Sequence, residues 1–207
     1  MQYIKDIFRL EQVVLESCDW GKLGRATVVD VGGSGGHDAL VLARNFPELT
    51  ITVQDMPKVQ AVFEKNLAAE PALASRVSFQ PHDFYQPQPV QADIYLIKLI
   101  LHNYSDAEAI RILQALVPAL NPGARIIFIV YIGDHSATDT GGMPLPRSIR
   151  QMGTSTDLRM MAIFNTKERP VEAWRDVFKA ADERFEIFSV EANPLRFFAV
   201  IEVVWSG

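Results

Sequence analysis

The sequence predicts an α/β fold: one mostly parallel sheet of seven strands with helices on both faces and one antiparallel strand. Five apolar runs rich in β-branched residues alternate with helix-periodic stretches along the first 132 residues. Strands of a parallel sheet are buried on both faces, so they read as continuous apolar runs. The last two apolar runs have no helix between them, so they must pair as a hairpin, which adds the antiparallel strand.

The strands are predicted from the apolar runs themselves, because Val, Ile, Phe and Tyr are enriched in strands. In chain order the runs are ATVVDV (26–31), LTITVQ (49–54), RVSFQ (76–80), ADIYLIKL (92–99), ARIIFIVYI (124–132), RFEIFSVEA (184–192) and RFFAVIEVVW (196–205).

The helices are predicted where apolar residues recur at i, i+3 and i+4 spacing. Between the strands, this spacing occurs in HDALVLARNF (37–46), PKVQAVFEKNLAAE (57–70) and DAEAIRILQALVPAL (106–120). Charged residues interrupt the N-terminal stretch, which predicts a short amphipathic helix within residues 1–18 rather than a secretory signal. Two later helices are predicted at about 147–164 and 170–182. They follow a segment at about 133–147 whose Gly, Pro, Ser and Thr content predicts a mobile loop.

Composition limits the class of protein. The 207 residues fit a single domain spanning 1–207, with 48% apolar and 22% charged residues and no apolar run long enough for a membrane span. The net charge of −5 and the lack of Lys/Arg clusters argue against nucleic acid or an anionic membrane as a partner. The single cysteine, Cys18, cannot form an internal disulfide. It is far from any metal-binding spacing, so we expect no metal and a cytoplasmic location.

A glycine-rich loop follows the first predicted strand of the sheet. The sequence VVDVGGSGGHDA places Gly32, Gly33, Gly35 and Gly36 before a helix, where glycines allow a sharp turn and close approach to a ligand. The dinucleotide fingerprint G-x-G-x-x-G does not match. Asp30 precedes the loop, and a carboxylate there disfavours a pyrophosphate and favours a ligand with positive charge.

Acidic residues follow the next two strands as well. Asp55 ends the second strand, where an acid can bind a pair of ribose hydroxyls, and Asp83 follows the third, where it can accept from an exocyclic amine. The alternative interpretation is that Asp30, Asp55 and Asp83 are ordinary turn and helix-capping residues. A cationic nucleoside ligand accounts for all three acids together with the glycines.

At this point the sequence resembles a family: the S-adenosylmethionine-dependent O-methyltransferases of the plant and fungal natural-product type, and most of all their fungal members. The resemblance covers nearly the whole chain. It is carried by DW (19–20), VVDVGGSGGH (28–37), VQDMP (53–57), FQPHDFYQPQPVQADIYLIKLILHNYSD (79–106), LVPALNPGARI (116–126), DLRMMAIFNTKER (157–169), Trp174 and IEVVW (201–205). It implies a Rossmann-like class I methyltransferase fold, S-adenosylmethionine as cofactor without a metal, and a hydroxylated aromatic or polyketide-like substrate.

The resemblance also implies roles for particular residues. His102 matches the family's general base and Glu168 the acid that orients it, although a lone histidine is more often a surface or capping residue. The residues that match the cofactor site are Asp30, Gly32, Gly33, Gly36, Asp55, Met56, Asp83, Phe84 and Lys98. Those that match substrate-lining positions are Asn103, Met160, Met161 and Asn165, with core filling as the alternative for the two methionines.

The sequence departs from the family pattern at three points. The helical N-terminal dimerisation domain of the family is absent from these residues. A second acid of the family, after the fifth strand, aligns with Val130 or Tyr131. Asn103 and Tyr104 replace the usual Asp-Trp pair after the histidine.

These departures leave other interpretations open. One is a homologue that binds S-adenosylmethionine without transferring its methyl group, as a pericyclase-like catalyst or a non-catalytic partner subunit. A nicotinamide-dependent oxidoreductase is disfavoured by Asp30 and by the glycine spacing. Without the N-terminal domain, the first helix and the Met-rich helix lose apolar cover. We therefore expect self-association or a companion chain.

Overall fold

The computed structural model of the protein describes residues 10–131, 155, 157, 158, 160–192 and 198–207. Three predictions fall wholly or largely outside these residues: the start of the N-terminal helix, the loop at about 133–147, and most of the helix at about 147–164.

All seven predicted strands are present in one sheet. They are β1 (Thr27–Val31), β2 (Thr50–Asp55), β3 (Val77–Pro81), β4 (Ile94–Lys98), β5 (Arg125–Val130), β6 (Phe185–Ala192) and β7 (Ala199–Trp205). Their order across the sheet is β3-β2-β1-β4-β5-β7-β6. Neighbours from β3 to β5 are parallel, whereas β7 is antiparallel to both β5 and β6. The predicted α/β fold with one antiparallel strand is confirmed.

Helices pack on both faces of this sheet. They are α1 (Leu10–Glu16), α2 (His37–Asn45), α3 (Gln60–Ala68), α4 (Asp106–Leu116) and α5 (Val171–Ala181), and residues 160–164 are also helical. Among the described helices, none combines the length and the apolar character needed to cross a membrane.

Local sequence sets the ends of α4. Ser105 caps its first turn: the hydroxyl accepts from the Glu108 N–H, and the Glu108 carboxylate accepts from the Ser105 N–H. The predicted helix extends to residue 120, but the α-helix ends at Leu116 and continues only as the 3₁₀ turn Val117–Ala119. Pro118 explains the early end, because proline has no N–H and so cannot donate the next i→i−4 hydrogen bond, which would go to the carbonyl of Gln114.

Two apolar clusters, one on each face of the sheet, form the core. On one face Phe128 of β5 meets the ring of Trp174 at 4.7 Å and that of Phe178 at 5.8 Å between centroids, both on α5. On the other face the cluster includes Val14 of α1 and Leu42 of α2, together with residues of β1 and β2. Burial on both faces is the reason why the strand sequences are continuously apolar.

The strand connections mark one edge of the sheet as the place where a ligand can bind. β1 pairs with β2 on one side and with β4 on the other, and residues 82–93 carry the chain from β3 to β4 without a helix. The chain therefore reverses its direction of winding between β1 and β4. In open α/β sheets, ligands bind beside such a switch point, at the carboxyl ends of the strands.

The two apolar clusters lead to a stability prediction. We expect Phe128→Ala to lower the free energy of unfolding by about 3–5 kcal/mol, since the side chain is fully buried between β5 and α5. Phe188→Ala is the matched control: Phe188 is 74% exposed, and its loss should change stability by less than about 0.5 kcal/mol. Urea unfolding monitored by circular dichroism measures both. Equal effects of the two substitutions would contradict the assignment of the core.

Candidate functional site

The glycine loop lies at the carboxyl end of β1, and the structure explains its composition. Gly32 and Gly36 have φ angles of 73°, in the left-handed region that favours glycine. A Cβ on Gly33 would lie 2.3 Å from Oδ2 of Asp30, so no side chain fits there. The N–H groups of Gly32 and Gly33 both donate to the carbonyl of Gln54, at 2.8 and 3.2 Å, which ties the loop to β2.

Asp30 is buried beneath this loop. The side chain is 2% exposed, and Oδ2 has no hydrogen-bond partner among the described residues. Burial, reinforced by the neighbouring carboxylate of Asp38, raises the pKa of Asp30 to about 8, although Lys98 acts in the opposite direction. In the protein alone, this shift favours the neutral acid below about pH 8, so a preference of Asp30 for a cationic ligand requires loss of its proton.

Lys98 ends β4 and forms a partly buried ion pair with Asp38. Its ammonium donates to both carboxylate oxygens, at 2.6 and 2.7 Å. Sequence reasoning singled out Lys98 as a candidate but not its partner Asp38, the second residue of α2. The available signal was an acid in the first turn of a helix, which is too common to identify a site.

Asp55 is held in a fixed orientation at the end of β2. Its Oδ2 accepts from the N–H of Ser34 at 2.9 Å, and its Oδ1 accepts from the N–H of Met56 at 2.7 Å. Ser34 has a φ of 50°, so the glycine loop bends toward this carboxylate in an uncommon conformation. Met56 is partly exposed beside it.

Asp83 and Phe84 lie on the segment that follows β3. Asp83 is exposed, and its Oδ1 accepts from the N–H of Tyr85 at 3.0 Å. The ring of Phe84 makes edge contacts with Tyr85 and Tyr104, at 5.3 and 5.6 Å between centroids. Phe84 thus lies against the segment that carries His102.

A buried amide network anchors this segment, and sequence reasoning missed it. Gln54 and Gln88 exchange two side-chain hydrogen bonds of 2.8 Å each, and Gln54 also donates to Gln80 at 2.9 Å. Gln54 lies in β2 between Val53 and Asp55, and a polar residue inside a strand predicted to be buried was the only signal. The network holds residues 82–93 near the glycine loop.

His102 and Glu168 are brought together although 66 residues separate them in the chain. Nδ1 of His102 lies 3.2 Å from Oε1 and 3.3 Å from Oε2 of Glu168, and both residues are buried. The N–H of Glu168 donates to Asp157 at 2.8 Å. When the carboxylate accepts from Nδ1–H, Nε2 carries the free lone pair and can accept a proton.

The backbone before each of these two residues is unusual. Leu99 has a φ of 56° and Asn165 a φ of 52°, each three residues ahead of a member of the pair. The positive φ of Leu99 ends β4 one residue before the predicted end of the strand. His102 therefore lies not in the strand but in the 3₁₀ turn Leu101–Asn103 that follows it.

The residues predicted to line the substrate site lie in different places. Met160 is buried, whereas Met161 is 55% exposed. Met161 and Asn165 line a cavity of about 460 Å³ with Ser105, Asp106, Thr166, Lys167 and Arg169. The amide of Asn103 donates to the carbonyl of Leu99 at 3.2 Å, a contact that braces the turn of His102.

Two further expectations concern acids and metals. Val130 and Tyr131, which align with the family's second acid, are both buried. Within the described part of the chain, no group of three or more His, Cys, Asp or Glu residues is arranged to hold a metal ion.

Comparison with known proteins identifies related chains. The sequence profile of the O-methyltransferase domain matches residues 1–183. The O-methyltransferase lcsG of Purpureocillium lilacinum is 41% identical over 210 residues, an alignment that covers 100% of this chain and 43% of that protein. The chain spans about half the length of the curated relatives it matches.

Solved structures share the fold. The mitomycin 7-O-methyltransferase MmcR superposes with a TM-score of 0.80 at 24% identity, covering 96% of this chain and 53% of that one. An O-methyltransferase from neocarzinostatin biosynthesis, in complex with S-adenosyl-L-homocysteine and 1,4-dihydroxy-2-naphthoic acid, has a TM-score of 0.74 at 23% identity, covering 97% and 57%.

The burial of Asp30 predicts a dependence of stability on pH. The folded protein keeps a proton that the unfolded chain releases near its ordinary pKa of 3.8, so stability should fall as pH rises from about 4 to about 8. The loss approaches about 1.4 kcal/mol for each unit of pKa difference. Asp30→Asn removes this dependence, so the stability of the variant relative to wild type should rise with pH.

Urea unfolding between pH 5 and pH 8.5 tests this expectation. A difference in unfolding free energy that stays constant with pH reflects the packing of the amide in Asp30→Asn. A difference that changes with pH reflects the proton that wild-type Asp30 retains. Asp176→Asn, on the exposed side of α5, is the control and should parallel wild type. Parallel curves for Asp30→Asn and wild type would show that Asp30 titrates normally.

Proposed function

This chain belongs to the O-methyltransferase family, and we propose that it transfers a methyl group from S-adenosylmethionine to a hydroxyl of a small aromatic or polyketide-like metabolite. The single observation that carries the proposal is the buried contact between His102 and Glu168, beside the strand ends at which the glycine loop and Asp55 lie. General acid–base chemistry needs such a histidine, oriented by a carboxylate.

The residues at the strand ends fit a cationic nucleoside. In this proposal Asp55 binds the ribose hydroxyls, because its carboxylate is already fixed by two backbone N–H groups and retains further lone pairs. Asp83 and Phe84 bind the adenine through its amine and its ring face. The glycine loop, including Gly32, Gly33 and Gly36, lets the backbone approach the ligand closely.

The remaining proposed cofactor residues lie beside the ribose and toward the amino-acid end of the same ligand. Met56 borders the ribose position, and Lys98 lies near the carboxylate end, held in place by Asp38. Asp30, beneath Gly33, favours positive charge above it once it loses its proton. S-adenosylmethionine carries its reactive methyl group on a positively charged sulfur.

In this proposal the chain's own residues remove the proton of the substrate hydroxyl. Nε2 of His102 accepts the proton of the substrate hydroxyl as the oxygen forms its bond to the methyl carbon and the carbon–sulfur bond breaks. Glu168 orients the ring and stabilises the imidazolium that results. Proton transfer of this kind contributes about 10²–10⁴-fold to the rate, and alignment of the reacting atoms can contribute more.

A second candidate function is binding of S-adenosylmethionine without methyl transfer, as a pericyclase-like catalyst or a non-catalytic partner subunit. The observation that favours it is the pair of buried side chains Val130 and Tyr131, where the family has an acid beside the histidine. Tight binding of S-adenosylmethionine without turnover across a panel of hydroxylated aromatics would support this alternative.

The partner of the site is proposed to be a small hydroxylated molecule, with Asn103, Met160, Met161 and Asn165 near it.

Apolar side chains are exposed on the segment before Glu168, namely Leu158, Met161, Ile163 and Phe164. Exposed apolar groups in one segment favour a covering partner. We propose that self-association or a companion chain covers them.

The cofactor site is tested by binding. We expect S-adenosylmethionine and S-adenosylhomocysteine to bind at micromolar concentrations in isothermal titration calorimetry. Asp55→Ala should weaken both by at least about tenfold, because the ribose hydroxyls lose a charged acceptor. Asp176→Ala is the matched control, on the far exposed face of α5, and should bind as wild type does. Undiminished binding by Asp55→Ala would remove this residue from the site.

The general base is tested by turnover. We expect His102→Ala to lower kcat for methyl transfer at least about a hundredfold while leaving the affinity for S-adenosylmethionine unchanged, because the proton then has no acceptor. Radiolabelled methyl transfer to hydroxylated aromatics measures the rate, and calorimetry measures the affinity. Full activity in the variant would exclude His102 from the mechanism.

A further inference from the structure

Arg169 is the most deeply buried cation of the described chain, and it follows Glu168 directly. It is 1% exposed. Its guanidinium lies 4.6 Å from the ring centroid of Trp174 on α5, a cation–π contact. Burying a charge costs several kcal/mol unless it is well paired, so we expect the polar contacts of Arg169 to serve a purpose.

Those contacts join the two segments that carry the proposed catalytic pair. Nε of Arg169 donates to Oδ1 of Asp106 at 2.6 Å, and Nη2 donates to the carbonyl of Tyr104 at 2.7 Å. The hydroxyl of Thr166 donates to the same carbonyl at 3.1 Å. Tyr104 is two residues after His102, and Thr166 is two residues before Glu168.

The geometry makes these three bonds a clamp beside the contact of His102 with Glu168. Residues 166–169 lie against residues 104–106 through the clamp, and the histidine and the glutamate meet from these same two segments. Neither Tyr104 nor Thr166 supplies a charge. Arg169 is the member that reaches the backbone carbonyl and the start of α4 at once, with the planar donor geometry of a guanidinium.

We propose that Arg169 is a positioning residue, which holds Glu168 against Nδ1 of His102 and so fixes the imidazole with Nε2 free to accept a proton. This inference rests on the proposed function for its chemical meaning, but the position of the imidazole proton can be measured without turnover. Arg169 itself contacts no reacting group in this proposal.

The first test is the tautomer of His102, read from ¹⁵N chemical shifts of its ring with His102→Gln used for assignment. We expect the neutral ring of the wild type to carry its proton on Nδ1. Arg169→Met should shift a measurable part of the population to the Nε2–H tautomer. Methionine keeps an apolar stem against Trp174, and the carboxylate of Asp106 is exposed, so the substitution leaves no buried charge without a partner.

The variants separate positioning from stability. Asp106→Asn is the matched control, because the amide oxygen can still accept from Nε of Arg169; its tautomer should equal that of wild type. If Arg169→Met does not fold, Arg169→Lys is the second variant, since an ammonium keeps the charge but lacks the planar fork. A folded Arg169 variant with the wild-type tautomer, or a shift equally large in Asp106→Asn, would overturn the proposal.

Measuring kcat in a double-mutant cycle is a second, independent test of the proposal. We expect Arg169→Met to lower kcat by about tenfold, as loss of an orienting contact commonly does, with unchanged affinity for S-adenosylmethionine. In a Glu168→Gln background the same change should have little further effect, because its action runs through Glu168. Additive losses would indicate a structural role and contradict the proposal. A wild-type protein without methyl transfer would refute the proposed function, while the tautomer would still decide the role of Arg169.

Discussion

The parallel pairing of β1 with both β2 and β4 is the constraint on which the rest of the site depends. Because parallel strands all end at the same edge of a sheet, one pairing pattern brings the glycine loop, Asp55, the segment of Asp83 and the turn of His102 to that edge. The two backbone bonds from the loop to Gln54 then fix the loop against β2. The proposed chemistry depends on side chains, but the strand order is what brings those side chains together.

Much of the fold could be predicted because its signals are local. Continuous apolar runs mark the strands, since burial on both faces leaves few polar positions, and the helix-free link between the last two runs requires a hairpin. The ends of elements were predicted less accurately, where Pro118 ends a helix and the positive φ of Leu99 ends a strand. The family resemblance, rather than periodicity, pointed to His102 and Glu168, which lie 66 positions apart in the chain.

The contacts missed from the sequence are side-chain pairs distant along the chain. Asp38 with Lys98, and Gln54 with Gln88, join elements whose proximity exists only after the sheet has formed. Nothing in a local pattern distinguishes such an acid or amide from an ordinary surface residue. The same limit applies to the protonation of Asp30, which depends on depth beneath Gly33 and not on residue type.

The two positive φ angles ahead of His102 and Glu168 suggest an order of events on heating. A leucine in the left-handed region carries a strain of about 1–2 kcal/mol, and the side chain of Leu99 packs only partly against the core. Such points relax by local opening at a lower free energy than the central strands. The histidine and the glutamate would then separate while the sheet is still intact. The contact between His102 and Glu168 would then have its own melting transition, below that of the fold.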